Sequence, residues 1–206
     1  GLTPGQIFVK PNAVSAPEAL MPELERQDRF LFAARLEEMK GIRVLLEAWR
    51  LLGSNGPELL ICGSGPLDEW SREFAADNKM TNVRFLGRLP NDQVRRLMAT
   101  SRALILPTQW YEGFPLSIAE SYSMGTPVLV SNLGNGGSLI KQGVTGLKFD
   151  PKSPQSIAKA VEKMEAEKNV NWEENTRRVY DQALTPEKNY AALMEVYTAA
   201  KERVRK

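Results

Sequence analysis

The sequence contains no histidine and a single cysteine among its 206 residues. Without an imidazole this chain holds no Ser-His-Asp or Cys-His nucleophile, no histidine base and no histidine-ligated metal. Its one thiol, Cys62, cannot form an internal disulfide and suits a reducing compartment. Set in the apolar run Leu59-Leu60-Ile61-Cys62, it reads as a buried, inert side chain. An excess of charge is missing too, since 27 basic residues face 25 acidic ones for a formal net charge of +2. That balance argues against nucleic acid as a partner, and the basic end Lys201-Glu202-Arg203-Val204-Arg205-Lys206 reads as a solvated helix terminus. No apolar run approaches the roughly 20 residues needed to span a bilayer. No Asp-x-Asp pair is present to hold a divalent metal over a diphosphate, so no metal is expected. Any phosphate charge then falls to Arg, Lys and backbone amides. The chain opens at Gly1, without an initiator methionine, and is expected to be a fragment.

What is present is an alternation of short apolar runs and helix-like stretches. Ile7-Phe8-Val9 leads into a turn at Pro11-Asn12. Strands are expected at 30–33, 59–62, 83–86, 103–106, 128–130 and 147–149. Between them the spacing predicts helices over 42–52, 67–78, 91–100 and 115–124, with a short one over 139–142. Such alternation means repeated βαβ units and a parallel sheet with helices on both faces. From Ser153 onward the chain reads as helical, over 153–168, 172–183 and 187–205. The expected organisation is one α/β domain over residues 1–206: a Rossmann-like doubly wound parallel sheet (about 7–150) followed by a helical tail (151–206).

The most informative feature is a pair of carboxylates, Glu112 and Glu120, with seven residues between them. The strand 103–106 ends at Pro107, and Pro115 then opens a helix that Gly125 and Pro127 stop. Glu112 therefore lies in the loop leaving a strand, and Glu120 about a turn and a half into the next helix. Both can face the crevice at the carboxyl edge of the sheet, where open α/β folds bind ligands. The amides of Gly113 and Phe114 lie beside the helix N-terminus, where free donors and the helix dipole favour anionic oxygens. Acceptor-only groups flanking such donors suit a ligand with both hydroxyls and phosphates, and a nucleotide sugar has both. Arg35 and Lys40 reach the same edge and suit a diphosphate, with pairing to Glu37 and Glu38 as the plain alternative. Gly63-Ser64-Gly65-Pro66 opens a helix after the strand 59–62; Gly63 and Gly65 can hold a phosphate or make a tight turn. Arg88 and Leu89 leave the following strand and can flank a base. Trp110 and Tyr111 can stack on a ligand or pack against the helical tail.

Taken in order, Arg35, Lys40-Gly41, Gly63-Ser64-Gly65-Pro66, Phe85-Leu86-Gly87 and Glu112-Gly113-Phe114-Pro115 through Glu120 resemble the retaining GT-B glycosyltransferases of family 4. The likeness runs from Ile7 to the final helices, and it is to the C-terminal, donor-binding half only. It implies a UDP- or GDP-sugar as donor and an N-terminal acceptor domain absent from this chain. Arg35 and Lys40 would hold the diphosphate as leaving group, and Glu112 with the backbone of Gly113 and Phe114 would bind the transferred sugar. Amides near Leu116 and Ser117 would reach the phosphates, Glu120 the ribose hydroxyls, and Arg88 and Leu89 the base. Two positions depart from the pattern: Ala34 where a glycine usually precedes the arginine, and Ser138 where a glutamate often follows the Gly134-Asn135-Gly136-Gly137 stretch.

The resemblance further implies a metal-independent hexosyltransferase that retains configuration by same-face substitution and is inactive as this domain alone. It implies a cytoplasmic protein, peripheral at the inner face of the membrane when full length, acting on a cell-envelope glycan or lipid-linked acceptor. Two rivals stand beside it. A nucleotide-sugar 2-epimerase shares the fold but is expected to use histidine, and a non-catalytic nucleotide-sugar-binding module would keep the donor site without chemistry.

Overall fold

The computed structural model describes residues 7–16 and 25–204. Six strands form one parallel sheet: β1 (Gln27–Ala33), β2 (Glu58–Cys62), β3 (Val83–Gly87), β4 (Ser101–Leu106), β5 (Val128–Ser131) and β6 (Gly146–Phe149). Their spatial order is β3-β2-β1-β4-β5-β6. The chain winds outward from β1 in one direction and from β4 in the other, so the topological switch lies between β1 and β4. The helices are α1 (Ile42–Leu52), α2 (Asp68–Asp77), α3 (Asn91–Thr100), α4 (Leu116–Ser123), α5 (Gly134–Leu139), α6 (Pro154–Ala166), α7 (Trp172–Ala183) and α8 (Pro186–Val204). A 3-10 turn, Glu38–Lys40, precedes α1. This is the expected doubly wound, Rossmann-like sheet.

The strand sequences are apolar without polar alternation because both faces are covered. Phe30 and Phe32 point with Leu59, Ile61, Ala103 and Ile105 into a layer built by α1 and α6. The intervening Leu31 points with Leu60, Leu104 and Val130 into a second layer built by α3, α4 and α7. Each such side chain, fully removed from water, contributes roughly 1.5–3 kcal/mol, and the two layers share one sheet. Trp49 of α1 anchors the first layer, edge-on to Phe30 with ring centroids 5.8 Å apart, its indole N–H donating to the Pro57 carbonyl at 2.9 Å. Tyr122 of α4 anchors the second and donates its hydroxyl to Thr145 at 2.7 Å.

Two sequence expectations are corrected. The short helix expected over 139–142 is instead α5, Gly134–Leu139, while Gln142 makes an isolated bridge to Gly146. Helix propensity, which disfavours glycine, is overridden here, and at Gly134 a Cβ would stand only 3.1 Å from the Tyr111 ring. Residues 7–16, grouped with the sheet core, contain no strand; Val9 is 95% exposed. That segment runs along α7 and α8 instead, with Val14 donating to the Leu184 carbonyl at 3.2 Å and Asn189 to the Pro11 carbonyl at 2.6 Å. The expected C-terminal helices follow the sheet as α6, α7 and α8, and two of them also pack into its layers, burying Ile157, Val161 and Tyr180. The expected helix end at Arg205 lies outside the described residues, as do Gly1 and Lys206.

Two glycines set the spacing of the loops at the carboxyl edge. Gly41 has φ +75°, and a Cβ there would come within 1.8 Å of the Pro107 carbonyl oxygen. Gly63 has φ +144°, and a Cβ there would meet the Ala34 carbonyl oxygen at 1.9 Å. Gly63→Ala is expected to destabilise the fold by about 2–3 kcal/mol, because backbone must move as well as strain. Gly143, with φ +72° in a tight turn and no atom within 4 Å of the Cβ position, is the control. Gly143→Ala should lose only about 1 kcal/mol of left-handed strain. Urea unfolding followed by circular dichroism measures both, and equal losses would show that the loops at Gly63 are not held in close contact.

Candidate functional site

The loop leaving β1 carries Arg35 and, on its 3-10 turn, Lys40. Met39 of that turn is stitched to the loop leaving β4, its carbonyl accepting from the Gln109 N–H at 2.8 Å and the Thr108 hydroxyl at 3.2 Å. With both loops fixed, Lys40 Nζ forms an ion pair with Glu112 Oε1 across the switch point. The plain alternative was therefore half right. Arg35 does lie 3.4 Å from Glu37, but Glu38 pairs with Arg43 at 2.8 Å and leaves Lys40 to Glu112. Arg35 remains 65% exposed at its side chain.

On the other flank, the β1 and β2 loops are joined main chain to main chain. Leu36 donates to the Ser64 carbonyl at 3.1 Å, and Leu67 donates back to the Leu36 carbonyl at 2.9 Å. Gly63 and Gly65 are needed for this approach, a Cβ on Gly65 falling 2.4 Å from the Leu36 carbonyl oxygen. The tight-turn reading of Gly-x-Gly thus has a steric basis, and both glycines also line the cleft.

The cleft has two lobes. The larger, of 570 Å³, runs over the carboxyl ends of β1, β2 and β3, floored by Cys62 and walled by Arg88, Leu89 and Glu120. The smaller, of 200 Å³, lies between the β1 and β4 loops and holds Lys40, Thr108 and Glu112. Arg35 and Ser117 border both lobes and mark their junction. At that junction α4 begins. No side chain caps its first turn, and among the described residues no acceptor meets the N–H groups of Phe114, Leu116 or Ser117. These donors, the helix dipole, Arg35 and Lys40 converge on one region, an arrangement that favours anionic oxygens. Glu120 and Glu112 supply acceptors on either side of it.

Sequence reasoning placed Arg35, Lys40, Gly63, Gly65, Arg88, Leu89, Glu112, Ser117 and Glu120 on the cleft, and all nine line it. Gly113 and Leu116 sit exposed at its rim, and the Phe114 side chain packs into the second core layer, leaving its backbone to face outward. The Tyr111 ring lies against Gly134, 3.1 Å from where a Cβ would stand. Glycine leaves room for the ring there, which the sequence alone does not reveal. Two polar residues were missed. Asn91 opens α3 and points its amide at Glu120 from 3.4 Å. Asn135 in α5 donates to the Gly113 carbonyl at 2.6 Å. In the sequence each reads as helix-start or loop chemistry, and only the fold brings Asn91 to the cleft and Asn135 to the Gly113 carbonyl.

A model of the family "Glycosyl transferases group 1" matches residues 21–183, a span that includes every residue lining both lobes. The chain belongs to that family. Among group 1 relatives, D-rhamnosyltransferase WbpZ of Pseudomonas aeruginosa is 34% identical over 134 residues, covering 64% of this chain and 34% of that protein. O-antigen chain mannosyltransferase C of Escherichia coli is 28% identical over 177 residues, covering 84% of this chain and 47% of that protein. The fold is shared with a variant of S. aureus TarM, crystallised with Fondaparinux, alpha-GlcNAc-glycerol and UDP. The TM-score is 0.80 at 17% identity, over 92% of this chain and 39% of that one. This chain thus spans between a third and a half of the group 1 proteins it matches.

The floor of the larger lobe can be examined chemically. Cys62 is 3% exposed, and burial pushes its thiol pKa up to about 11. At pH 8 it is expected to react with a disulfide reagent about 100-fold more slowly in the native chain than after unfolding in urea. A native rate within a few-fold of the unfolded rate would mean that the lobe floor is open to water.

Proposed function

We propose that this chain is the donor-binding half of a retaining glycosyltransferase and takes a nucleoside-diphosphate sugar along the two lobes. The observation that carries the reading is the junction at Arg35 and Ser117, where fixed cations and unpartnered amides separate two carboxylate-bearing lobes. The nucleoside occupies the larger lobe, with Glu120 accepting from the ribose hydroxyls and Arg88 and Leu89 beside the base. The diphosphate lies at the junction, met by Arg35, Lys40 and the amides of Leu116 and Ser117. The sugar enters the smaller lobe, where Glu112 and the backbone of Gly113 and Phe114 receive its hydroxyls. UDP in the complex of the structurally similar TarM supports a nucleotide in this fold. The curated relatives' names support transfer of a hexose or deoxyhexose to a surface polysaccharide.

In this reading the anomeric C–O bond breaks with its electron pair going to the diphosphate oxygen, while an acceptor hydroxyl oxygen bonds to the same carbon from the same face. Its proton passes to the departing phosphate. Fixed charges and amides aimed at the phosphate stabilise that charge separation without reorganising, and no enzyme nucleophile or metal is invoked. Because the chain spans only part of its relatives, the acceptor is assigned to a domain outside it, on the cytoplasmic side of the membrane. Among the described residues no helix is long and apolar enough to cross a membrane. By itself this chain is proposed to bind donor without transferring sugar, since the reacting carbon would stay open to water.

Calorimetric titration with UDP and with GDP, each with and without EDTA, tests the reading. One nucleotide should bind, and chelation should leave its Kd unchanged. Loss of binding in EDTA would overturn the metal-independent site, and binding of neither nucleotide would overturn the donor site itself.

The Lys40–Glu112 pair generates a second expectation. Glu112 competes with the phosphates for Lys40, so Glu112→Gln should leave nucleoside-diphosphate affinity unchanged or raise it by up to about fivefold. Lys40→Met should lower it by about fivefold, near 1 kcal/mol for a charged contact that is partly exposed. If both substitutions weaken the nucleotide equally, the pair is not the exchange partner of the phosphate.

A further inference from the structure

The first turn of α5 touches the loop leaving β4 at two successive residues. Gly134 accommodates the Tyr111 ring, which lies 3.1 Å from where a Cβ would stand, and Asn135 Nδ2 donates to the Gly113 carbonyl at 2.6 Å.

The middle contact fixes a peptide plane. In a trans peptide the C=O of one residue and the N–H of the next point in opposite directions. Asn135 draws the Gly113 carbonyl toward α5, on the β5 side of the loop. The Phe114 N–H is therefore turned the other way. Strand β4 lies between β5 and β1, so that direction leads to the side where Arg35 and Lys40 stand. Among the described residues this N–H has no acceptor. Gly113 itself has nothing within 4 Å of its Cβ position, so no side-chain packing would hold the plane if Asn135 released it.

We infer that Asn135 is a positioning residue. By tying back the Gly113 carbonyl it aims the Phe114 amide at the smaller lobe and presets a donor for a hydroxyl of the donor sugar. The inference rests on the donor-site reading above and adds the residue that orders its sugar-facing backbone. A preset donor loses little entropy on binding, whereas a freely rotating glycyl peptide must be ordered by the ligand itself. The effect belongs to the sugar and not to the nucleotide, because Glu112 and Pro115, which flank the Gly113–Phe114 peptide, line the smaller lobe and not the larger.

The test is a split between two affinities. Wild type, Asn135→Ala, Asn135→Asp and Asn135→Gln are titrated with UDP and UDP-glucose, and with GDP and GDP-mannose as the second pair. For the pair that wild type binds, Asn135→Ala and Asn135→Asp should weaken the sugar nucleotide about 3- to 10-fold while leaving the free nucleotide within about twofold. Asn135→Gln, whose longer amide can still donate, should recover most of the loss. Thermal unfolding should be nearly unchanged in all three, as the side chain is exposed, so that a merely structural effect is excluded. Equal weakening of nucleotide and sugar nucleotide, no change in either, or a Gln variant no better than Ala would each overturn the role of Asn135. If wild type binds none of the four ligands, the donor site falls and this inference with it, an outcome seen before any variant is compared.

Discussion

Strands β1 and β4 lie side by side but their crossovers depart in opposite directions, and the gap this leaves at their carboxyl ends has no side-chain core to hold its width. Main chain holds it instead. The Gly41 backbone presses on the Pro107 carbonyl on one flank, and Gln109 donates to the Met39 carbonyl at 2.8 Å. On the other flank, the Leu36–Ser64 and Leu36–Leu67 bonds zip the β1 loop to the β2 loop. Ordering a long lysine or glutamate side chain costs up to about 1.5–2 kcal/mol of rotamer entropy. Lys40 and Glu112 can meet only because their anchors are already fixed, so the geometry of the charged groups is inherited from backbone contacts that carry no charge.

That inheritance shapes the electrostatics. Arg35 and Lys40 each hold a carboxylate: Arg35 has Glu37, and Lys40 has Glu112. Neither pair is fully buried, and partly exposed pairs are each worth at most about 1 kcal/mol. Weak pairing is what a reversible anion site requires. Were the pairs buried and strong, an incoming anion would have to break them at a cost of several kcal/mol. Were they absent, two neighbouring cations would repel and splay apart. An anion with several oxygens can instead replace both carboxylates at once, with the α4 N-terminus adding donors that need no rearrangement.

The sheet was legible because burial on both faces writes each strand as an apolar run, and because Gly53, Pro107 and Gly125 punctuate the elements between. Nine cleft residues were legible because the carboxyl edge of a parallel sheet is a fixed address: a residue just past a strand end arrives there whatever the packing. Failures came where an element depends on contacts distant in sequence. Gly134 to Gly137 reads as a loop by propensity, yet it opens α5 with Gly134 set against the Tyr111 ring. Lys40 has a nearer carboxylate in sequence, Glu38, and its actual partner is fixed by the Met39–Gln109 bond. Asn91 and Asn135 act through other residues, and single polar side chains in helix starts carry no local mark of such a role.

The rim of the smaller lobe carries a different kind of constraint. Trp110 and Tyr111 are 60% and 72% exposed, and Leu116 stands beside them at 49%. Large apolar side chains clustered beside a polar lobe are costly to leave in water, and such patches mark surfaces that something covers. In the two-half proposal the sugar's anomeric carbon sits in this lobe, and a structure closing over it would bury the rim and expel water in the same movement. Water exclusion strengthens every interaction between Lys40, the α4 amides and the phosphates, because the same charges act in a lower dielectric. The cations that pair weakly with carboxylates in the open site would then, once covered, hold the phosphates strongly and stabilise charge separation. Binding and chemistry need opposite strengths from the same residues, and an exposed apolar rim lets closure supply the difference.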